Sequence, residues 1–146
     1  TGDGQIKLLH KSELRMGYRT SVVKEKGYVV LAARLRLTPG NKEQIAARMD
    51  ELKEKRVEKQ PLEYPSAGST FKRPEGYFAG KLIMDCGLRG YRVGGAQVSP
   101  KHCGFVINAQ DATAADVLAL IRDVQDKVYE KFQIKLETEI RFLGDF

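Results

Sequence analysis

Cys103-Gly104-Phe105-Val106-Ile107-Asn108 and, shortly after it, Thr113-Ala114-Ala115-Asp116-Val117-Leu118-Ala119-Leu120-Ile121-Arg122-Asp123-Val124-Gln125-Asp126-Lys127-Val128 carry two different hydrophobic periods. The first is a short, largely apolar run of strand length. The second opens on the spacing of a capping box, Thr113 with Asp116, and repeats its apolar residues at Val117, Leu120, Ile121, Val124 and Val128. That is the helical period, and it predicts a helix whose apolar stripe is core rather than a cofactor box. Working outward, Ala79 to Cys86 reads as a short helix with Leu82, Ile83 and Cys86 on one face, stopped by Gly87 and Gly90. Beyond the long helix, Ile134, Leu136, Thr138, Ile140 and Phe142 alternate with Lys135, Glu137, Glu139 and Arg141, which predicts a final strand. Its charged face either meets solvent or lines a cleft; periodicity serves both. Helix, strand, helix, strand in this order gives a compact α+β unit.

Upstream, the pattern changes. Tyr28 to Leu37 is rich in Val and Leu and predicts a strand ended by Thr38-Pro39-Gly40; Gln5 to Leu9 predicts a shorter one. Asn41 and Gln44 have capping-box spacing before a highly charged helical stretch. Its narrow stripe of Ile45, Met49 and Leu52 predicts packing against a sheet on one side. Glu58 to Pro65 reads as a connection. The expected division is therefore an α/β piece over residues 1–60 and a compact α+β domain over residues 61–146.

The composition is globular, with 42% hydrophobic and 30% charged residues, and 146 residues suffice for one domain or a small domain plus part of another. No apolar run has membrane-spanning length and no secretory signal is visible, so a soluble protein is expected. The net charge of +6 favours anionic partners such as nucleotides or phosphorylated metabolites. Acidic and basic residues are interspersed and no nucleic-acid-binding signature occurs, so nucleic acid is not the expected partner. Cys86 and Cys103, the two cysteines, form neither a CxxC nor a four-ligand metal set, and the two histidines, His10 and His102, lie far apart. Two reduced, buried thiols and no metal follow.

The chemistry concentrates in Tyr64-Pro65-Ser66-Ala67-Gly68-Ser69-Thr70-Phe71-Lys72-Arg73-Pro74. Pro and Gly make this an expected loop, with Gly68 permitting a close turn. Ser69 offers a small hydroxyl as a proton donor, and Lys72 and Arg73 offer cations to phosphate or carboxylate oxygens. There is no GxSxG, no GxxxxGK[ST], and Gly94-Gly95 is not a dinucleotide fingerprint, so hydrolase, P-loop and Rossmann readings lack their motifs. Arg19, beside Tyr18 and two hydroxyl residues, is a candidate partner for Glu139. On residues alone, a non-redox nucleotide-sugar or phosphosugar-binding module and a plain scaffold both stay open.

An ordered set of landmarks goes further. Gly17-Tyr18-Arg19, Lys59 to Ser66, Gly68-Ser69, Phe71 to Pro74, Gly76 to Ile83, Gly90-Tyr91-Arg92, Gly94-Gly95, Val98-Ser99, Lys101-His102, Gly104-Phe105, Asn108 and Glu139-Ile140-Arg141 resemble the type II UDP-N-acetylenolpyruvoylglucosamine reductases, also called UDP-N-acetylmuramate dehydrogenases. The resemblance implies a cytoplasmic, FAD-dependent and NADPH-using enzyme of peptidoglycan precursor synthesis. Its substrate is UDP-N-acetylglucosamine enolpyruvate; hydride goes to the vinyl C3 and a serine protonates C2. Ser69 matches that serine, Glu139 the active-site carboxylate and Arg19 the arginine associated with it. Lys72, Arg73, Lys101 and His102 become substrate-binding candidates. Residues 1–60 resemble only the end of the FAD-binding domain, and no residue is matched to the cofactor. The missing N-terminal FAD-binding region is thus an implied partner, and the chain is expected to be inactive alone.

Overall fold

The computed structural model describes residues 1–144; the last two positions of the expected second domain lie outside the described residues. The chain resolves into two units, Thr1–Asn41 and Lys42–Phe146.

The second unit is α+β. Its elements are α2 (Lys42–Lys59), β1 (Ser66–Ser69), α3 (Ala79–Asp85), β2 (Arg92–Val93), β3 (Ala96–Val98), β4 (Phe105–Asn108) and α4 (Ala114–Phe132). The four strands form an antiparallel sheet in the order β1-β4-β3-β2. Helix α4 packs on β2, β3 and α3. It begins where its cap dictates: the Asp116 N–H donates to Thr113 Oγ1 at 3.1 Å, and the Thr113 N–H donates to Asp116 Oδ2 at 2.9 Å. These bonds satisfy two amide groups that the first turn would otherwise leave unpaired. They also hold the Asp116 carboxyl below the ordinary aspartate range, with the Thr113 backbone N–H the larger cause. Leu120, Ile121, Val124 and Val128 are fully buried in one cluster with Ile83, Val98 and Val106. Removing such side chains from water is what holds the two layers together, at about 1.5–3 kcal/mol each.

Several expectations are refined here. Strand β4 starts two residues after Cys103, because Phe105 N–H closes a turn onto His102 O at 3.0 Å. The Tyr64–Pro74 loop contains β1, an edge strand paired with β4 in a register that shifts between Ser66 and Ser69. Gly68 sits in that irregularity at φ +85°, a conformation that a side-chain-bearing residue resists. The β2–β3 hairpin around Gly94-Gly95 escaped the sequence reading, since two- and three-residue strands carry almost no periodicity.

The final strand is a correction. Residues 134–142 form no strand but an extended segment with one bridge, Phe71 to Thr138. Lys72 N–H donates to Glu137 O at 2.8 Å and Glu139 N–H to Thr70 O at 2.9 Å. The predicted alternation survives where this pairing acts: Leu136 is buried and Lys135 and Glu137 are exposed, but Glu139 is half-buried.

Helix α2 forms as predicted, yet none of its residues is buried, and Ile45, Met49 and Leu52 are 49–65% exposed. The sheet expected under its stripe is not there among the described residues.

The first unit contains a 3-10 turn at Lys11–Leu14 and the short helix α1 (Val22–Glu25). Neither predicted strand, Gln5–Leu9 nor Tyr28–Leu37, forms. Residues 29–40 make no backbone hydrogen bond among the described residues, and a strand without a neighbour to exchange N–H and C=O groups has nothing to define it. No helix of the described residues is long and apolar enough to cross a membrane.

Candidate functional site

Ser69 ends β1 and is exposed, while the next residue, Thr70, is buried. Thr70 ties three segments together. Its N–H donates to Gly104 O at 2.9 Å, its Oγ1 accepts from Val106 N–H at 3.0 Å, and its carbonyl accepts from Glu139 N–H. At the register shift, a side-chain hydroxyl thus replaces the backbone carbonyl that Val106 would otherwise meet. The consequence is that Glu139 lies opposite the residue following Ser69. Ser69 and Glu139, seventy positions apart in sequence, are thereby brought close along the backbone at the β1 edge of the sheet.

Lys72 continues along that edge, and its Nζ makes a 2.6 Å ion pair with Glu137 Oε2. Both border an open groove of about 680 Å³ that α4 completes with Gln125 and Tyr129. Ser69 does not line this groove, so the groove and the candidate acid are separate features. Arg73 is held differently. Its Nε donates to Tyr77 O at 3.2 Å and its guanidinium lies 4.0 Å from the centre of the Phe78 ring. The stacking and this hydrogen bond help orient a planar cation whose fork suits paired oxygens.

Lys101 and His102 follow the buried Ser99, whose Oγ accepts from both their N–H groups at 3.2 and 3.3 Å. Lys101 Nζ stands 3.4 Å from Glu63 Oε2. The Glu63 carboxyl is held below its usual range, first by a backbone hydrogen bond and then by Lys101. Because Gly104 joins the His102 turn to Thr70, the Lys101-His102 pair belongs to the same neighbourhood as Ser69.

Arg19 belongs to the first unit. It occupies a tight turn closed by Gly17 N–H to Thr20 O at 3.0 Å and Thr20 N–H to Gly17 O at 3.3 Å, with φ +56°. Its guanidinium lies 5.3 Å from the centre of the Tyr18 ring. A left-handed arginine is uncommon, and Arg19 shares that conformation with Arg15, Asp111 and Gln133 among the described residues.

Both cysteines are free thiols, and burial pushes each up from its ordinary value, away from the reactive thiolate. No cluster of three metal-ligating side chains occurs among the described residues. Sequence reasoning passed over Thr70 and Ser99, since a buried hydroxyl that organises a turn has no motif of its own.

Residues 60–143 match the family model described as UDP-N-acetylenolpyruvoylglucosamine reductase, C-terminal domain. The chain belongs to that reductase family. Among relatives named UDP-N-acetylenolpyruvoylglucosamine reductase, that of Agathobacter rectalis is 65% identical over all of this chain and 46% of its own length. That of Lachnoclostridium phytofermentans is 62% identical over 99% of this chain and 47% of its own length. The crystal structure of UDP-N-acetylenolpyruvylglucosamine reductase from Thermus caldophilus superposes with a TM-score of 0.76 at 42% identity, covering 89% of this chain and 46% of that one. The chain therefore spans about half the length of the reductases it matches.

Proposed function

We propose that this chain is the substrate-binding portion of a flavin-dependent reductase that converts UDP-N-acetylglucosamine enolpyruvate to UDP-N-acetylmuramate with NADPH, in peptidoglycan precursor synthesis. The observation that supports the reading is the hydrogen bond from Glu139 N–H to Thr70 O, which brings the backbone of the family-matched glutamate next to the residue that follows the family-matched serine.

The described residues do not by themselves fit FAD. In the first unit, assigned on resemblance to the flavin-binding part, Val29, Val30, Leu31, Leu35 and Leu37 are exposed rather than lining an enclosed pocket. The cofactor is accordingly assigned to the whole reductase, where it would supply the hydride for the vinyl C3.

The roles left to this chain are binding, orientation and proton delivery. Once C3 has gained its hydride, C2 carries the electron pair of the former double bond, delocalised into the neighbouring carboxylate. The Ser69 O–H bond breaks as C2–H forms, and the serine oxygen regains a proton from solvent. An alkoxide is costly unless charge nearby is arranged for it, so the acid must act within a preorganised set of donors and cations. Glu139 and Arg19 are the groups assigned to the developing enolate. Arg73, Lys72, Lys101 and His102 are assigned to the diphosphate and carboxylate of the substrate. Lys72 reaches a ligand only by leaving Glu137, whereas Arg73 is stacked on Phe78 and hydrogen-bonded to Tyr77 O.

The test is pre-steady-state kinetics of the full-length reductase carrying Ser69→Ala. Oxidation of reduced flavin by the enolpyruvyl substrate should slow by about 10²–10⁴-fold, with flavin reduction by NADPH little changed. Equal slowing of both half-reactions would refute the assignment.

A further inference from the structure

We propose that His102 is a fixed-tautomer hydrogen-bond donor, presenting Nε2–H to a phosphoryl oxygen of the nucleotide-sugar ligand, and that Gly104 and Gly80 seat its ring. The inference rests on the functional reading above and adds to it the nitrogen used, the ligand group it meets and the residues that enforce the choice.

The tautomer follows from one contact. Gly104 N–H donates to His102 Nδ1 at 3.0 Å. A backbone amide nitrogen can only donate, so Nδ1 must offer its lone pair, and the neutral ring carries its proton on Nε2. The ring is held on its other sides as well. Phe105 meets it edge-on, with centroids 5.0 Å apart at 71°. A Cβ on Gly104 would stand 2.9 Å from His102 Cε1 and 3.1 Å from Nδ1. One on Gly80, in the first turn of α3, would stand 3.3 Å from Cε1. At neither glycine is a positive φ the reason, so the space itself is what the missing side chains provide.

The backbone of His102 is equally fixed, through Ser99 Oγ at its N–H and Phe105 N–H at its carbonyl. Yet the residue is exposed, and Nε2 has no partner among the described residues. A ring anchored through one nitrogen with the other left outward is a directed donor. Its neighbour Lys101 adds an ammonium, held to Glu63 only by a long, exposed ion pair that an incoming anion can replace. One directed N–H and one mobile cation suit an anionic phosphoryl oxygen better than a neutral carbonyl.

The experiment is long-range proton–nitrogen correlation NMR on the imidazole of His102 in the full-length reductase, with UDP, inorganic pyrophosphate and uridine as probes. The expected spectrum has Nδ1 as an unprotonated acceptor and Nε2 as the protonated nitrogen. UDP and pyrophosphate should each shift Nε2–H without exchanging the tautomer; uridine should not. In steady-state kinetics, His102→Ala and His102→Asn should raise KM by about tenfold or more, with kcat falling less than about threefold, as expected for loss of a hydrogen bond to a charged group. His102→Gln, whose amide nitrogen reaches the place of Nε2, should recover most of that KM.

A proton on Nδ1, an imidazole unmoved by UDP and pyrophosphate, a response to uridine alone, or equal KM values for the Gln and Ala variants would each overturn the inference. Normal turnover with an imidazole indifferent to UDP would sink this inference and leave the reductase reading standing. The expected NMR response in a protein that oxidises no NADPH with the enolpyruvyl sugar would do the reverse.

Discussion

Leu120, Ile121, Val124 and Val128 have almost no exposed surface, whereas Val29, Leu31, Leu35 and Leu37, just as aliphatic, expose 73–80% of theirs. The difference lies in what each backbone needs. A helix satisfies its own N–H and C=O groups, so α4 requires only a surface for its stripe, and the β2–β3 hairpin and α3 supply one. A strand satisfies nothing alone. The 28–37 segment has strand composition and no neighbour among the described residues, so its side chains have no face to close against.

The comparison can be broken first at the cofactor. If the first unit holds no closed pocket, titration of the 146-residue chain with FAD should give weak binding or none. Stoichiometric, tight binding together with substrate turnover would overturn that view.

Amide hydrogen exchange probes the same contrast at the backbone. Residues 117–128 should exchange more slowly than residues 29–40, relative to their intrinsic rates, by at least about a thousandfold. Comparable protection in the two segments would mean that the 28–37 strand forms after all.

Side-chain truncation should follow burial. Leu120→Ala is expected to cost about 2–5 kcal/mol in urea unfolding, and Leu35→Ala to stay within about 0.5 kcal/mol of the parent. Similar costs for both would contradict the exposure of Leu35.

The smallest effect concerns the start of α4. The Asp116 carboxyl is held below its ordinary range by Thr113, so its contribution to stability is complete above about pH 4 and is lost as pH falls through the depressed value. Asp116→Asn should flatten the acid side of the stability profile by lowering the plateau above about pH 4 towards the acid value. An unchanged acid slope would mean that another carboxylate controls it.

The same physics explains what the sequence made legible. Helices α2, α3 and α4 and the cap at Thr113 were readable because each is written within one or two turns of contiguous residues. Strand β4 was readable as an apolar run. Strand β1 was hidden inside a Gly/Ser/Pro segment because its pairing depends on Thr70 and Gly68 meeting β4, nearly forty residues away. The 134–142 segment kept its alternation but not its ladder, since it meets only the short stretch Thr70–Lys72. At the candidate site, Ser69, Glu139 and the cations are proposed from residue type and family landmarks. The link between Ser69 and Glu139, through the carbonyl of Thr70, and the seat of His102, through Gly104, are backbone contacts that no motif encodes.

The most direct test of the account is the pair of half-reactions in the full-length reductase carrying Ser69→Ala. The account predicts that flavin reduction by NADPH keeps its rate while reoxidation by the enolpyruvyl substrate falls by about 10²–10⁴-fold. An unchanged reoxidation rate would contradict it.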